Sequence, residues 1–370
     1  MPADGPWTKL RSKATTRFHD DASDVDGLYA DMAAADLQPL WVQEGLLPRT
    51  PGRLSPHIWR WKTLRYLAER AGDLVGIERG GDRRVLSLVH PDLGGLPFAT
   101  PTLWGGVQFL GGGELAPGHR HTPGALRFVL EGSGVWTLVN GDPIHMARGD
   151  LVLTPSWTWH EHHNPGTDPM IWFDGLDLPL VNALDAGFFE PAGAEYLDTA
   201  GPPVESRSAA LYAHPGLLPS ARPDTDRHSP LMVYRWEHTA RGLADVSAAT
   251  GSGDAELRFV DPVHGGDAVP TMRCAMRQLA AGLRTPTTRT VGSSIIVVFS
   301  GRGRTVIDGM TFSWGRGDTL AIPSWCAVDH EAVETAQLFV LSDAPVIEAL
   351  RLDRTEVLED HQPVTGTWDG

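Results

Sequence analysis

The sequence predicts an all-β chain built from two tandem copies of one small all-β domain and entered through short N-terminal helices. Three observations predict it. From about Pro101 onward, short apolar runs are punctuated by Gly and Pro, a density that fits a barrel or sandwich and not a doubly wound sheet. One series of turn and core residues occurs twice in the same order. Upstream of Pro101 the apolar residues recur instead at three- and four-residue steps, the helical spacing.

Each element follows in order. Short amphipathic helices are expected between Leu28 and Trp41 and between Trp61 and Ala71, the second with Leu64, Leu67, Ala68 and Ala71 on one face. Strands are expected at Leu126 to Leu130, Val135 to Val139, Leu151 to Thr154 and Met170 to Phe173. The stretch from Glu190 to Arg222 is rich in Pro, Ala, Ser and Gly and reads as a connector. Strand signals resume near Arg258 and run to Ser342, and Ala344 to Leu352 reads as a closing helix. The expected organisation is an N-terminal helical arm over 1–90, a first barrel over 91–185 and a connector over 186–257. A second barrel over 258–345 and a C-terminal helix and tail over 346–370 complete it.

The repeat is specific. Val129-Leu130-Glu131-Gly132-Ser133-Gly134 returns as Val298-Phe299-Ser300-Gly301-Arg302-Gly303, and the hairpin-turn pair Asn140-Gly141 returns as Asp308-Gly309. Arg148-Gly149-Asp150 matches Arg316-Gly317-Asp318, and Pro155-Ser156-Trp157 matches Pro323-Ser324-Trp325. Four ordered matches whose spacing agrees to within one residue argue against a coincidence among glycines.

Composition narrows the function. The chain has 370 residues, with 31 Lys and Arg against 46 Asp and Glu, a net charge of −15. That balance argues against a nucleic-acid partner, which requires a basic surface. It leaves room for a small anion, because a few arginines in a cleft set a local sign opposite to the global one. No apolar run reaches the roughly 20 residues of a membrane span, and the first residues carry no secretory core, so a cytoplasmic protein is expected. Two cysteines, Cys274 and Cys326, are too few for a disulfide framework or a cysteine-based metal site and are expected to be structural.

Histidine is concentrated in one place: six of the 15 lie between His119 and His163. His119 and His121 stand one residue apart, as do His160 and His162, so on strands each pair shares a face. Two strands offering imidazoles inward bring His119, His121 and His160 around one ion, and Fe, Zn, Cu and Ni all accept such ligands. His90, His145 and His163 are expected to be ordinary hydrogen-bonded or surface histidines. The second copy has Thr288 and Thr290 in place of His119 and His121, and Val328 in place of His160. It is therefore expected to be metal-free, its His330, aligned with His162, standing alone.

These residues resemble the cupin motifs. Gly149, Pro155, His160 and Asn164 fit the second motif, with Trp157 where a Gly is usual; His119-Arg120-His121 fits the first, without its common glutamate ligand. The stretch from Thr102 to Glu190 is similar, more narrowly, to the gentisate 1,2-dioxygenase family, which includes salicylate and 1-hydroxy-2-naphthoate dioxygenases. The text that carries this is Leu103-Trp104-Gly105-Gly106-Val107-Gln108, Pro117-Gly118-His119-Arg120-His121, Leu126-Arg127-Phe128, Thr154-Pro155-Ser156-Trp157-Thr158-Trp159-His160 and Trp172-Phe173-Asp174-Gly175-Leu176-Asp177. The resemblance implies a bicupin, two double-stranded β-helix (jelly-roll) barrels, acting as a homotetramer. It implies Fe(II) on His119, His121 and His160, and an extradiol-type cleavage of a 2-hydroxybenzoate by O₂ between the carboxylate-bearing and hydroxyl-bearing carbons.

The family's substrate-contacting positions are matched by Arg83, Trp104, Gln108, Arg127, His162 and Asp174. Arg127 and Arg83 are expected to secure the carboxylate with a guanidinium fork. His162 is expected to bond the hydroxyl oxygen and move its proton, and Asp174 to orient a histidine or ligand. Trp104 and Gln108 would line the ring pocket, and the residues that sort substrates are expected on pocket walls such as Val85 and Gly105, or in the N-terminal segment. Gentisate, yielding maleylpyruvate, is the expected substrate. Salicylate and 1-hydroxy-2-naphthoate are alternatives, as are a non-enzymatic metal-binding cupin and a zinc site for isomerase or hydrolase chemistry.

Overall fold

A computed structural model describes residues 24–43, 46, 48–51, 54–76, 84–193, 205–220 and 228–368. The chain divides into two units, Met1–Pro51 and Gly52–Gly370. In the first, helix α1 (Asp24–Ala34) precedes a 3-10 turn at Leu40–Val42, and the Trp41 indole donates to the Tyr29 hydroxyl at 3.0 Å.

The second unit holds both barrels and begins with strand β1 (His57–Trp59), helix α2 (Trp61–Leu74) and β2 (Val85–Ser87). The first barrel comprises β3 (Trp104–Leu110), β4 (Leu115–His121), β5 (Ala125–Glu131), β6 (Ser133–Val139), β7 (Asp142–Ala147), β8 (Leu151–Thr154), β9 (His160–His163) and β10 (Met170–Leu176). Helix α3 (Leu178–Ala183), β11 (Phe189–Pro191), helix α4 (Arg207–Tyr212), β12 (Val233–Tyr234) and helix α5 (Trp236–Thr250) lead on to β13 (Asp254–Arg258). The second barrel repeats the plan with β14 (Arg273–Leu279), β15 (Thr288–Thr290), β16 (Ser294–Ser300), β17 (Arg302–Ile307), β18 (Met310–Gly315), β19 (Thr319–Ile322), β20 (Val328–Ala332) and β21 (Ala336–Ser342). Helix α6 (Ala344–Ala349), β22 (Thr355–Val357) and β23 (Gly366–Thr367) close the chain.

Each barrel is two facing sheets. In the first, β12-β8-β5-β10-β3-β2 faces β11-β4-β9-β6-β7; in the second, β1-β19-β16-β21-β14-β13 faces β22-β15-β20-β17-β18-β23. Asn140-Gly141 and Asp308-Gly309 turn their hairpins with four positive φ angles, 48°, 79°, 46° and 82°, as a two-residue primed turn requires.

Strand parity sorts the core. On β16, Ile296 and Val298 point into the second barrel, whereas Ile295, Val297 and Phe299 point out. On β5 and β10, Leu126, Phe128 and Phe173 likewise point out of the first barrel. The two outward faces meet, with Phe128 stacked on Phe339 at 4.2 Å and 7°, so these strands are buried on both sides and read as nearly continuous apolar runs.

The connection between barrels was hidden in the sequence. β1, which precedes the first barrel, pairs with β19 of the second, and β12, which precedes the second, pairs with β8 of the first. The arms are exchanged, and Ile58-Trp59-Arg60-Trp61 is the counterpart of Val233-Tyr234-Arg235-Trp236. Asp318 accepts from the Trp61 amide at 2.8 Å and from Arg60 at 3.2 Å. Asp150 does the same for Trp236 at 2.9 Å and Arg235 at 2.7 Å. Each carboxylate thus satisfies an orphan N–H at the start of the other copy's helix. The neighbouring glycines are required twice over. Gly149 and Gly317 have φ of 88° and 85°, and a Cβ on them would meet the Trp236 and Trp61 rings at 2.6 and 2.2 Å. The stretch 186–257, expected as a connector, therefore carries a strand and a 15-residue helix that belong to this exchange.

A candidate three-histidine metal centre

β4 and β9 lie antiparallel with His119 opposite His160, and a register shift between Ala116 and His119 sets that pairing. Irregularities of this kind recur beside functional sites because they re-aim side chains. His119, His121 and His160 each offer a ligand nitrogen, and the three nitrogens lie within 4.8 Å of one another. The Nδ1 atoms bond backbone carbonyls two residues away: His119 to Pro117 at 3.2 Å, His121 to Pro123 at 2.7 Å, His160 to Thr158 at 3.0 Å. A carbonyl only accepts, so each Nδ1 carries the proton and each Nε2 carries the lone pair. Bonds of this kind orient imidazole ligands. His160 Nε2 is buried with no hydrogen-bond partner. A buried orphan acceptor is costly, and a divalent cation resolves it, so the donor set fits a metal.

The wall beside the triad is polar. Arg127, on β5 and 4% exposed, has Asp174 opposite it on β10, with the Asp174 carboxylate 3.5 Å from its Nε. That is an ion pair but not a hydrogen bond, and Nε is otherwise without a partner. The Arg127 Nη1 donates to the Thr154 hydroxyl. Asp174 accepts from the Trp172 indole at 3.0 Å. Burial, only partly opposed by Arg127, pushes the Asp174 carboxyl up to about 6. His160 and His162 are held well below their ordinary range, first by burial and then by the charge of Arg127, so both are neutral imidazoles at pH 7.

His162 lies 6.1 Å from the His160 ring, centroid to centroid, and its Nδ1 is buried without a partner. The second barrel shows the contrast. There His330 Nδ1 bonds Thr305 Oγ1 at 2.8 Å, whereas the matching Thr137 hydroxyl is turned to the Glu161 carbonyl at 2.7 Å. Register confirms the match, since Thr288 stands opposite Val328 as His119 stands opposite His160.

Trp104, Gly106 and Gln108 share the interior face of β3, Gln108 opposite Trp172 and Gly106 opposite Asp174. A Cβ at Gly106 would lie 2.5 Å from the Trp104 ring and 2.6 Å from Val85, so glycine is what lets that ring lie against the wall. Gly105, expected on the pocket wall, instead faces Ile295, Phe173 and Leu88 in the core between barrels. The correction follows from parity: neighbours on a strand point to opposite faces. Arg83 lies outside the described residues. Its neighbour Arg84 bonds Glu114 and, at 3.2 and 2.9 Å, the Gly72 and Val75 carbonyls that end α2.

The structure thus brings together the triad, His162, Arg127, Asp174, Gln108 and Trp104. His163, His90 and His145, expected to be ordinary, take other roles. His163 stacks on Trp136 at 3.7 Å and bonds Glu161 at 2.9 Å, His90 bonds the Ser55 carbonyl at 2.8 Å, and His145 is exposed. Sequence reasoning gave no role to Thr154 or Trp172, and none to Phe189, whose ring lies 5.4 Å from that of His119. One signal was available for Thr154: a polar residue ends the apolar run Leu151-Val152-Leu153.

Fold and site together define a bicupin in which one barrel carries a three-histidine group. Residues 106–176 match the cupin domain model. The chain is 49% identical over 351 residues to a gentisate 1,2-dioxygenase of a Streptomyces species, spanning 92% of this chain and 98% of that one. It is 35% identical over 359 residues to a 5-aminosalicylate 1,2-dioxygenase of a Comamonas species, spanning 94% and 95%. The crystal structure of salicylate 1,2-dioxygenase from Pseudaminobacter salicylatoxidans aligns with a TM-score of 0.87 at 42% identity, covering 92% of this chain and 99% of that one. A structure of that enzyme's adducts with gentisate aligns at 0.88, also at 42% identity, covering 94% and 97%. The chain belongs to the gentisate 1,2-dioxygenase family of ring-cleaving dioxygenases. Among the described residues, no helix is long and apolar enough to cross a membrane.

Proposed function

We propose that this enzyme is an Fe(II)-dependent dioxygenase of 2-hydroxybenzoates, with gentisate as its substrate and maleylpyruvate as its product. The supporting observation is a triad whose three Nδ1 atoms are pinned by backbone carbonyls, placed beside a buried arginine whose Nε lacks a hydrogen-bond partner. His119, His121 and His160 would hold the iron, and neutral ligands leave its charge undiminished for an anionic substrate. A bound ferrous ion supplies the electron density that lets dioxygen react with the ring.

The chain's own residues do the rest. Arg127 and Arg83 bind the carboxylate, and Trp104 and Gln108 orient the ring. His162, neutral and with Nδ1 unsatisfied, accepts the proton of the ring hydroxyl. Asp174 holds Trp172 and tempers the charge of Arg127. Both atoms of one O₂ enter the product, and the bond between the carboxylate-bearing and hydroxyl-bearing carbons breaks. On this reading 91–185 is the catalytic barrel, 258–345 its degenerate copy, and the working form a cytoplasmic homotetramer. The support for that assembly is the family resemblance, and a sedimentation mass four times that of the chain tests it.

The deciding experiment is oxygen uptake by protein reconstituted with Fe(II) or Zn(II), offered gentisate, salicylate and 1-hydroxy-2-naphthoate. Uptake with Fe(II) alone, fastest with gentisate, is expected. Faster turnover of salicylate would reassign the substrate, and no uptake with any of the three would overturn the reading.

A further inference from the structure

We propose that Thr154 is a positioning residue, holding the guanidinium of Arg127 toward the substrate carboxylate. The inference rests on the assignment of Arg127 above. Thr154 ends β8, opposite Ala125, and is fully buried inside the barrel. Its hydroxyl accepts from Arg127 Nη1. The only other hydrogen-bond or ion-pair partner of that guanidinium, among the described residues, is Asp174 at 3.5 Å from Nε, and one Asp174 oxygen already serves the Trp172 indole. The Thr154 hydroxyl is therefore the one hydrogen bond that sets the rotation of the guanidinium plane. Nη2 is left as the donor side for a ligand.

The second barrel shows that the fold does not ask for this hydroxyl. By register, Arg127 corresponds to Ile296, Asp174 to Val340, Trp172 to Leu338 and Thr154 to Ile322. All four polar members of the wall become aliphatic together, and Ile322 and Ile296 sit in that barrel's apolar core. The pair His162 and Thr137, by contrast, is kept there as His330 and Thr305. Within this one chain, Thr154 is present where the arginine is present and absent where it is absent, which is what service to Arg127 requires and service to the barrel does not.

The test compares Thr154→Val, which keeps the shape and removes the hydroxyl, with Thr154→Ser, which restores it, and with Arg127→Gln. Gentisate is titrated anaerobically into each iron-loaded enzyme and Kd read from tryptophan fluorescence; catechol, which lacks the carboxylate, is titrated alongside. Thr154→Val is expected to weaken gentisate about tenfold, the weight of one hydrogen bond to a charged group. It should leave catechol affinity and iron content unchanged, and Thr154→Ser should recover most of the loss. Gentisate bound normally by Thr154→Val but poorly by Arg127→Gln would overturn the role of Thr154 alone, as would failure of Thr154→Ser to restore affinity. Normal binding by Arg127→Gln would instead overturn the reading of Arg127 on which it rests.

Discussion

Replacing Arg127 by isoleucine should cost more than replacing Arg127, Thr154 and Asp174 together. The single change leaves the Asp174 carboxylate buried with only the Trp172 indole as donor and strips the Thr154 hydroxyl of its partner. With its cation present, that carboxyl is already pushed up to about 6. Without the cation it must be buried charged or protonated at neutral pH, and breaking a buried pair in this way costs about 3 kcal/mol. The triple variant Arg127→Ile, Thr154→Ile, Asp174→Val carries instead the residues that the second barrel uses at these positions, Ile296, Ile322 and Val340. Apolar replacement of both partners removes the buried charges and leaves only the Trp172 indole without its acceptor, so the triple variant should be more stable than the single one and lie within about 2 kcal/mol of the parent. Urea midpoints of the metal-free proteins at pH 7, with slopes compared, give both differences. A single variant as stable as the parent, or a triple variant no more stable than the single one, would refute the reasoning. Neither variant should bind gentisate.

Three further outcomes follow from the geometry. His160→Ala removes the imidazole whose Nε2 is buried and orphaned, so, on the proposed reading, iron content should fall from about one per chain to near zero while circular dichroism is unchanged; stoichiometric iron in the variant contradicts the ligand role. Phe339→Ala deletes a fully buried ring that stacks on Phe128 between the barrels and should cost about 4 kcal/mol in urea melts; a loss under about 1 kcal/mol would mean that the interface is not a shared core. His330 is pushed down to about 3 when folded, first by burial and then by the Arg277 charge, but titrates near 6.5 when unfolded. As pH falls through that window the unfolded chain takes a proton that the folded one refuses, and stability is lost. His330→Gln removes this contribution and should therefore gain on the parent by about 1.4 kcal/mol per pH unit between about pH 6 and pH 4, and a difference independent of pH would be the contrary result.

Much of the site was legible because strand chemistry is periodic. His119 and His121 share a face for the same reason that Gly105 and Gly106 do not. The repeat located both barrels and identified Thr288, Thr290 and Val328 as the residues that stand in the second one where the triad stands in the first. Misreading Gly105 was an error of parity, correctable once β3 has a register. The exchanged arms were not legible, although Arg60-Trp61 and Arg235-Trp236 are written in plain view. Their carboxylate partners, Asp318 and Asp150, lie 258 and 85 residues away along the chain, and nothing local distinguishes a helix that caps its own barrel from one that caps its neighbour.

What the sequence by itself determined is the set of donors: three imidazoles on inward positions of two strands, an arginine set into an apolar strand, and a duplicate lacking both. Spacing of two along a strand decides facing without help from the rest of the molecule. Only the tertiary structure decided what those donors are free to do. Thr137 turns away from His162 while Thr305 holds His330, and three backbone carbonyls put the proton on Nδ1. Thr154 and Asp174 flank Arg127 yet leave its Nε without a hydrogen-bond partner. Protonation, orientation and residual charge depend on which groups are brought within about 3 Å in a dry interior, where each unpaired atom is costly, and contacts of that kind exist only after distant strands have met.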